Sequence, residues 1–324
     1  MHFLIGGTRP SDVGPGPSSL AGLRLRTGES VERILPLAVG LVVQVVDLTG
    51  AEPSSHIYWV RDGVSTLVTR ATGGVALSSA GDRVYALDYG PPGSTGTRSL
   101  STLLEVTLSG TVLARHRVPA GYTIAGDTPA GLLVALYSPT SGLGHLQLVN
   151  RRTLRVLRAL GPVEQVIAMD SRRAAWQVTT CEETCDLAVE DFATGHRDVV
   201  TAAMGYSLAN GSFSPDGRRL ALAYFGRHPQ QPGGAAPGFV DVQTIETRVR
   251  QRVPGVATGI KQAADLAWTP DGASLAVSVG LTTTNSRRIG LWPLTGGALK
   301  VLPGRYSDRS SSSALAVLQR SFSE

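Results

Sequence analysis

The stretch Ser212-Phe213-Ser214-Pro215-Asp216-Gly217-Arg218-Arg219-Leu220-Ala221-Leu222-Ala223-Tyr224 reads as a strand, a tight turn and a second strand. Pro215 presets φ for the second position of a turn, Asp216 can bond back to its own backbone, and Gly217 takes a positive φ that a Cβ would resist. After the turn, Leu220, Leu222 and Tyr224 alternate with Ala221 and Ala223. That period of two suits a strand buried between layers better than a helix. Thr269-Pro270-Asp271-Gly272 repeats the turn closely, and Ser78-Ser79-Ala80-Gly81 keeps its position and outline. The acids Asp216 and Asp271 are therefore assigned to the turns and not to chemistry.

Aligned on that turn, apolar strands follow Gly40, Gly81, Gly131, Ser171, Gly217, Gly272 and Ser312, at spacings of 40 to 55 residues. A second marker, a strand ending in a short polar turn as in Asp191-Phe192-Ala193-Thr194-Gly195, recurs at Thr27-Gly28, Asp62-Gly63, Ser109-Gly110, Arg152-Thr153, Thr244-Ile245 and Thr295-Gly296. Both series count seven. A repeat of this length with four short strands is the signature of a β-propeller blade. The expected architecture is thus all-β, a seven-bladed β-propeller, with six blades as the fallback.

The outer marker appears first, at Thr27-Gly28, and the inner series ends last, at Ser312. This order predicts a composite blade, with two outer strands from Ser19 to Leu35 and two inner strands from Tyr306 to Arg320. Such a clasp leaves no open sheet edge between the chain ends. Residues 1–18, with Pro10, Pro15 and Pro17, then form an arm or linker, and residues 19–324 a single propeller domain.

Composition agrees with a turn-dense, well-buried fold: Gly 38, Pro 19, 42% hydrophobic and 17% charged residues in 324. The net charge of +5 is carried almost wholly by scattered arginines, since only Lys261 and Lys300 are lysines. There is no basic block with interleaved aromatics, which argues against nucleic-acid binding. The longest apolar run, Ile34 to Val46, is broken by Pro36 and Gly40 and falls short of the roughly 20 residues of a membrane helix. The N-terminus shows no basic and apolar leader, which leaves a cytoplasmic protein or one whose export segment lies upstream.

Cys181 and Cys185 are the only cysteines. Four residues apart across the end of a hairpin, they can close a disulfide; idle thiols and a metal site remain alternatives. The disulfide favours an oxidising, extracytoplasmic location.

Ser-Phe-Ser-Pro-Asp-Gly-Arg-Arg-Leu-Ala at 212–221 and Leu-Ala-Trp-Thr-Pro-Asp-Gly-Ala-Ser-Leu-Ala at 266–276 resemble the TolB-type and WD-repeat-like propeller repeats common in bacterial envelope proteins. Ala175-Trp176, the cysteine pair and Asp191 to Gly195 also resemble actinobacterial propellers without an assigned activity. The resemblance implies the propeller and an envelope setting, and no single chemistry.

Long insertions fall between the second and third strands of the units, at 90–99, 138–144, 180–184, 226–238 and 280–288, all on one face of the ring. Loops gathered on one face vary without disturbing the blades and mark a binding face. Its candidate contact residues are Tyr89, Arg98, Tyr137, His228, Arg287 and Arg288, aromatic and cationic groups favoured at interfaces. Against this, Tyr89, Tyr137 and Tyr224 occupy comparable places and can pack between sheets, as can Trp59, Trp176, Trp268 and Trp292. The expected role is a monomeric, non-enzymatic module for a protein or glycan partner, without cofactor. The alternative is a lactonase or lyase, which resembling enzymatic propellers build around a divalent cation such as calcium at the channel mouth; Glu164, Asn210 and Asp265 are the residues in position for it. No nucleophile elbow, phosphate loop or His-Glu-x-x-His stands in the chain.

Overall fold

The computed structural model describes residues 1–14, 18–49, 54–89, 100–138, 143–178, 186–227, 234–259, 263–280, 286–303, 306–307 and 315–318. Seven antiparallel sheets form a seven-bladed propeller, with no helix among the described residues. Blade 1 runs from its inner strand outwards through Glu29–Leu37, Gly40–Asp47, Ser54–Arg61 and Val64–Ala71. Blades 2 to 5 repeat this order, with inner strands Val75–Leu77, Tyr122–Thr128, Gln165–Met169 and Leu208–Phe213. Blade 6 begins at Leu266–Trp268, and its third strand, Ser286–Pro293, also pairs with Tyr306–Ser307.

Blade 7 is composite, but not in the predicted way. Among the described residues, Leu315–Leu318 is its one strand from the C-terminal part, and it pairs with His2–Ile5, which pairs in turn with Ser11–Val13. The presumed arm therefore supplies two of the three described strands. Residues 19–35 do not supply outer strands: Glu29–Leu37 is the inner strand of blade 1, while Leu20 and Leu23 pack between blades 7 and 1. The Thr27-Gly28 marker misled because a short polar turn does not reveal which strands it joins. Here Gly28, at φ +91°, leads into an inner strand, and the Arg26 amide donates to Glu29 Oε2 at 2.6 Å.

Closure is visible in the packing. Seven hydrophobic clusters each draw on two neighbouring blades, so every blade is buried on both faces. Blade 5 shows why the alternation matters: Leu220, Leu222 and Tyr224 face blade 4, whereas Ala221 and Ala223 face blade 6, where Trp268 and Trp292 need the space. Trp176 and Trp292 are fully buried, as the packing role for tryptophan anticipates.

The defining turn is held by its own side chains. Ser214 Oγ donates to Asp216 Oδ1 at 2.6 Å, and Asp216 Oδ1 accepts from the Arg218 amide at 3.0 Å. Thr269 and Asp271 repeat these bonds at 2.6 and 3.0 Å. The Thr269 hydroxyl and then the Ala273 amide hold the Asp271 carboxyl below the usual range. In blade 2 the acid lies just past the turn glycine: Ser78 Oγ donates to Asp82 Oδ1 at 2.8 Å. The turn thus survives where Pro and Asp are missing from their expected positions.

Gly217 has φ +72°, and a Cβ there would lie 1.2 Å from the Arg173 Nη1 of blade 4. Arg173 cannot retreat cheaply, because its side chain is 12% exposed and sits over the Phe213 ring. Gly217→Ala is therefore expected to cost roughly 2 kcal/mol or more, from the left-handed backbone and the displaced arginine together. Gly195, at φ +73° with nothing within 4 Å of its Cβ position, isolates the backbone part. Chemical denaturation of both variants is the check: equal losses would mean that Arg173 moves freely.

Candidate functional site

The starts of the inner strands and the second-to-third-strand connections lie at the same end of the ring, the loop face. In blade 4, Glu164 precedes the inner strand. Its amide donates to the Gln177 carbonyl at 2.9 Å, its Oε2 accepts from Gln177 Nε2 at 2.5 Å, and its carbonyl accepts from the Tyr137 hydroxyl at 3.1 Å. Burial raises the Glu164 pKa. In blade 6, Asp265 Oδ2 accepts from Ser278 Oγ at 2.9 Å and from Arg287 Nη1 at 2.6 Å. Asn210, on the inner strand of blade 5, donates to the Ala264 carbonyl of blade 6 at 3.1 Å.

These three residues thus sit in consecutive blades, but each is engaged. The Arg287 guanidinium already takes up the negative charge that Asp265 would offer a cation, and the Asn210 amide joins two blades. This donor set fits a divalent ion poorly, since hard cations need several convergent, uncommitted oxygens. Among the described residues there is no group of three His, Cys, Asp or Glu side chains placed to hold a metal.

Of the contact residues expected on this face, Tyr89, Tyr137, Arg287 and Arg288 are half-buried at its rim. The Tyr89 amide donates to Thr72 Oγ1 at 2.6 Å, fixing the edge from which residues 90–99 depart. Tyr224 is buried and accepts the Ala203 amide on its hydroxyl at 3.1 Å, so it belongs to the core. Arg98, His228, Cys181 and Cys185 lie outside the described residues. The longest connection, between Tyr224 and Val240, has a built base. Arg227 stacks over Tyr206 with 5.0 Å to the ring centroid and donates to the Gly234 carbonyl at 3.0 Å. Gly238 and Thr258 bridge in both directions at 2.9 and 3.0 Å.

The opposite, short-turn end holds groups that the sequence did not single out. Asp127 of blade 3 is 3% exposed. It accepts from the Ser79 amide and hydroxyl of blade 2, at 2.8 and 2.9 Å, and from Arg151 Nε at 2.7 Å. Beside it, Arg83 forks onto Asp82 at 3.0 and 2.7 Å and reaches Glu105 at 2.6 Å. The Arg83 hydrogen bond and then, against burial, the Ser78 hydroxyl bring Asp82 to a pKa of about 2. A polar cleft of about 440 Å³ lies between blades 2 and 3 over these groups. A second cavity, about 450 Å³, opens into the channel past Arg33, Leu77, Asp127, Met169 and Asp170. Nothing local marks Asp127 in sequence; Arg33 carried one signal, a charge inside an apolar strand.

Solved structures share this architecture at low sequence identity. TolB from Acinetobacter baumannii superposes with a TM-score of 0.50 at 15% identity, over 89% of this chain and 66% of that one. The fold is TolB-like. A putative 6-phosphogluconolactonase from Bacteroides fragilis matches at a TM-score of 0.54 and 14% identity, over 88% of this chain and 86% of that one. Prolyl oligopeptidase B from Galerina marginata matches at 0.60 and 9% identity, over 94% and 48%. The chain thus spans just under two thirds of TolB and about half of the oligopeptidase. Proteins of such different names share these blades, so the likeness speaks for the fold and leaves the activity to the site. No protein-family model matches the sequence, and no curated protein matches it.

Proposed function

We propose that the protein is a non-enzymatic binding module that takes a protein or glycan partner on its loop face, outside the cytoplasm. The observation that carries this reading is topological. The longer connections, 90–99, 178–185 and 225–239, join second to third strands, whose joined ends lie on one side of the ring, while the first-to-second and third-to-fourth turns on the other side stay short. Half-buried Tyr89 adjoins residues 90–99, and half-buried Tyr137, Arg288 and the Asp265-paired Arg287 lie at the same end of blades 3 and 6, aromatic and arginine side chains of the kind that anchor interfaces. The Arg227 and Tyr206 stack holds the base of the longest connection, and a fixed base lowers the ordering cost of binding. Cys181 and Cys185 fall in another of these connections, where a disulfide would tie the loop in an oxidising compartment.

Site-specific photo-crosslinking in the native host tests the face directly. A photoreactive residue at position 98 or 228 is expected to trap one discrete partner, and the same residue at position 194, on the short-turn face, to trap none. Crosslinks from position 194 alone, or from neither face, would overturn the reading. Thiol titration of the unfolded chain without reductant tests the location: no reactive thiol is expected, and two would remove the case for export.

A further inference from the structure

The channel cavity at the short-turn end contains a cation without a carboxylate partner among the described residues. Arg33 follows a β-bulge, where the register of the blade 1 inner strand shifts between Val31 and Arg33, and a bulge re-aims the side chain that follows it. The guanidinium donates from Nη1 to the Val75 carbonyl of blade 2 at 2.8 Å. That bond uses one of its five N–H donors. The side chain is exposed to the open channel, with the inner strands of neighbouring blades lining the cavity around it. Partial desolvation by these walls lowers the Arg33 pKa, and the adjacent Glu32 acts in the opposite direction.

The other charged groups lining the cavity are satisfied elsewhere. Asp127 is held by Ser79 and Arg151. Asp170 accepts from the Arg172 and Arg173 amides at 2.7 and 2.6 Å, with Arg173 Nε 3.4 Å away. Around Arg33 the walls are largely apolar: Leu35, Pro36, Leu77, Ala125 and Met169.

We propose that this cavity binds a small organic monocarboxylate, its carboxylate on the Arg33 guanidinium and its apolar body against Leu35, Pro36, Leu77 and Met169. A planar fork with unused donors matches a carboxylate, and charge-assisted bonds of this kind are among the stronger ones. The volume, about 450 Å³, lies within the range of small-molecule pockets. One uncompensated cation calls for one negative charge, and the nearby Asp127 and Asp170 penalise a dianion such as phosphate. The site lies at the end of the channel opposite the loop face and stands independently of the partner proposed there.

The test titrates the full chain with butyrate, hexanoate and benzoate, with hexanamide and benzamide as neutral counterparts and with inorganic phosphate, by calorimetry in a buffer free of carboxylates. At least one acid is expected to bind at millimolar concentration or better, and Arg33→Gln to weaken it about tenfold or more. The amides should not bind. Arg33→Lys keeps the charge but loses the fork, and should weaken binding by a smaller factor; it also supplies the comparison if Arg33→Gln does not fold. The proposal is wrong if no acid binds the wild type, if the Arg33 variants bind as the wild type does, if amides bind as well as acids, or if phosphate is preferred.

Discussion

A variant lacking His2–Val13 is expected to lose cooperative thermal unfolding altogether. Those residues supply two of the three described strands of blade 7, and Leu4, Ile5 and Phe3 are 0%, 3% and 7% exposed between blades 6 and 1. Burying three such side chains contributes roughly 5–9 kcal/mol. A typical domain has only about 5–15 kcal/mol in total. The deletion also strips the pairing from Leu315–Leu318 and leaves a wedge open in the ring. Leu4→Ala is the milder form of the same change and should cost about 2–5 kcal/mol, within reach of a measurable folded state. Calorimetry and limited proteolysis of both variants would decide. A deletion variant that melts as the full chain does would mean that the ends do not close the propeller.

Asp127→Ala should produce the next largest loss, about 2–3 kcal/mol, read by chemical denaturation. The carboxylate is the single acceptor for three donors from two blades, and its side chain is only 2% exposed. Removing one member of a fully buried pair costs more than this, but the Arg151 side chain is 32% exposed and can return to water. The Ser79 amide and hydroxyl are left to account for the larger share. Asp82→Ala provides the contrast: it breaks an ion pair whose members are 36% and 51% exposed, worth about 0–1 kcal/mol, and the turn bond from Ser78, worth about 1 kcal/mol, but no contact between blades. Equal losses at the two positions would show that Asp127 does not join blades 2 and 3 in the way its hydrogen bonds indicate.

Much of the architecture was legible because its cause is local. Ser214 to Gly217 and Thr269 to Gly272 contain the donors and acceptors of their own turns. The alternation in Leu220 to Tyr224 assigns each side chain to a neighbouring blade before any neighbour is known. Repeated seven times, local turns and period-two strands suffice for a propeller. The candidate site was less legible. Asn210 and Asp265 lie near the starts of inner strands, but the bonds from Asn210 to Ala264 and from Arg287 to Asp265 are made through space, with no trace in spacing.

The sequence alone determined the number of blades, the side on which the longer connections emerge and the packing role of the tryptophans, because turn chemistry and strand alternation act over a few residues. Only the tertiary structure decided which strands close the ring and what faces the channel. Leu4 meets Ala316 across almost the whole chain, and His2–Ile5 is too short to announce its partner. Arg33 reaches the channel through a bulge, and Asp127 joins two blades whose contacting residues are far apart in sequence. Pairings of that kind form when the blades assemble, from hydrogen bonds and excluded water between segments that carry no local mark of one another.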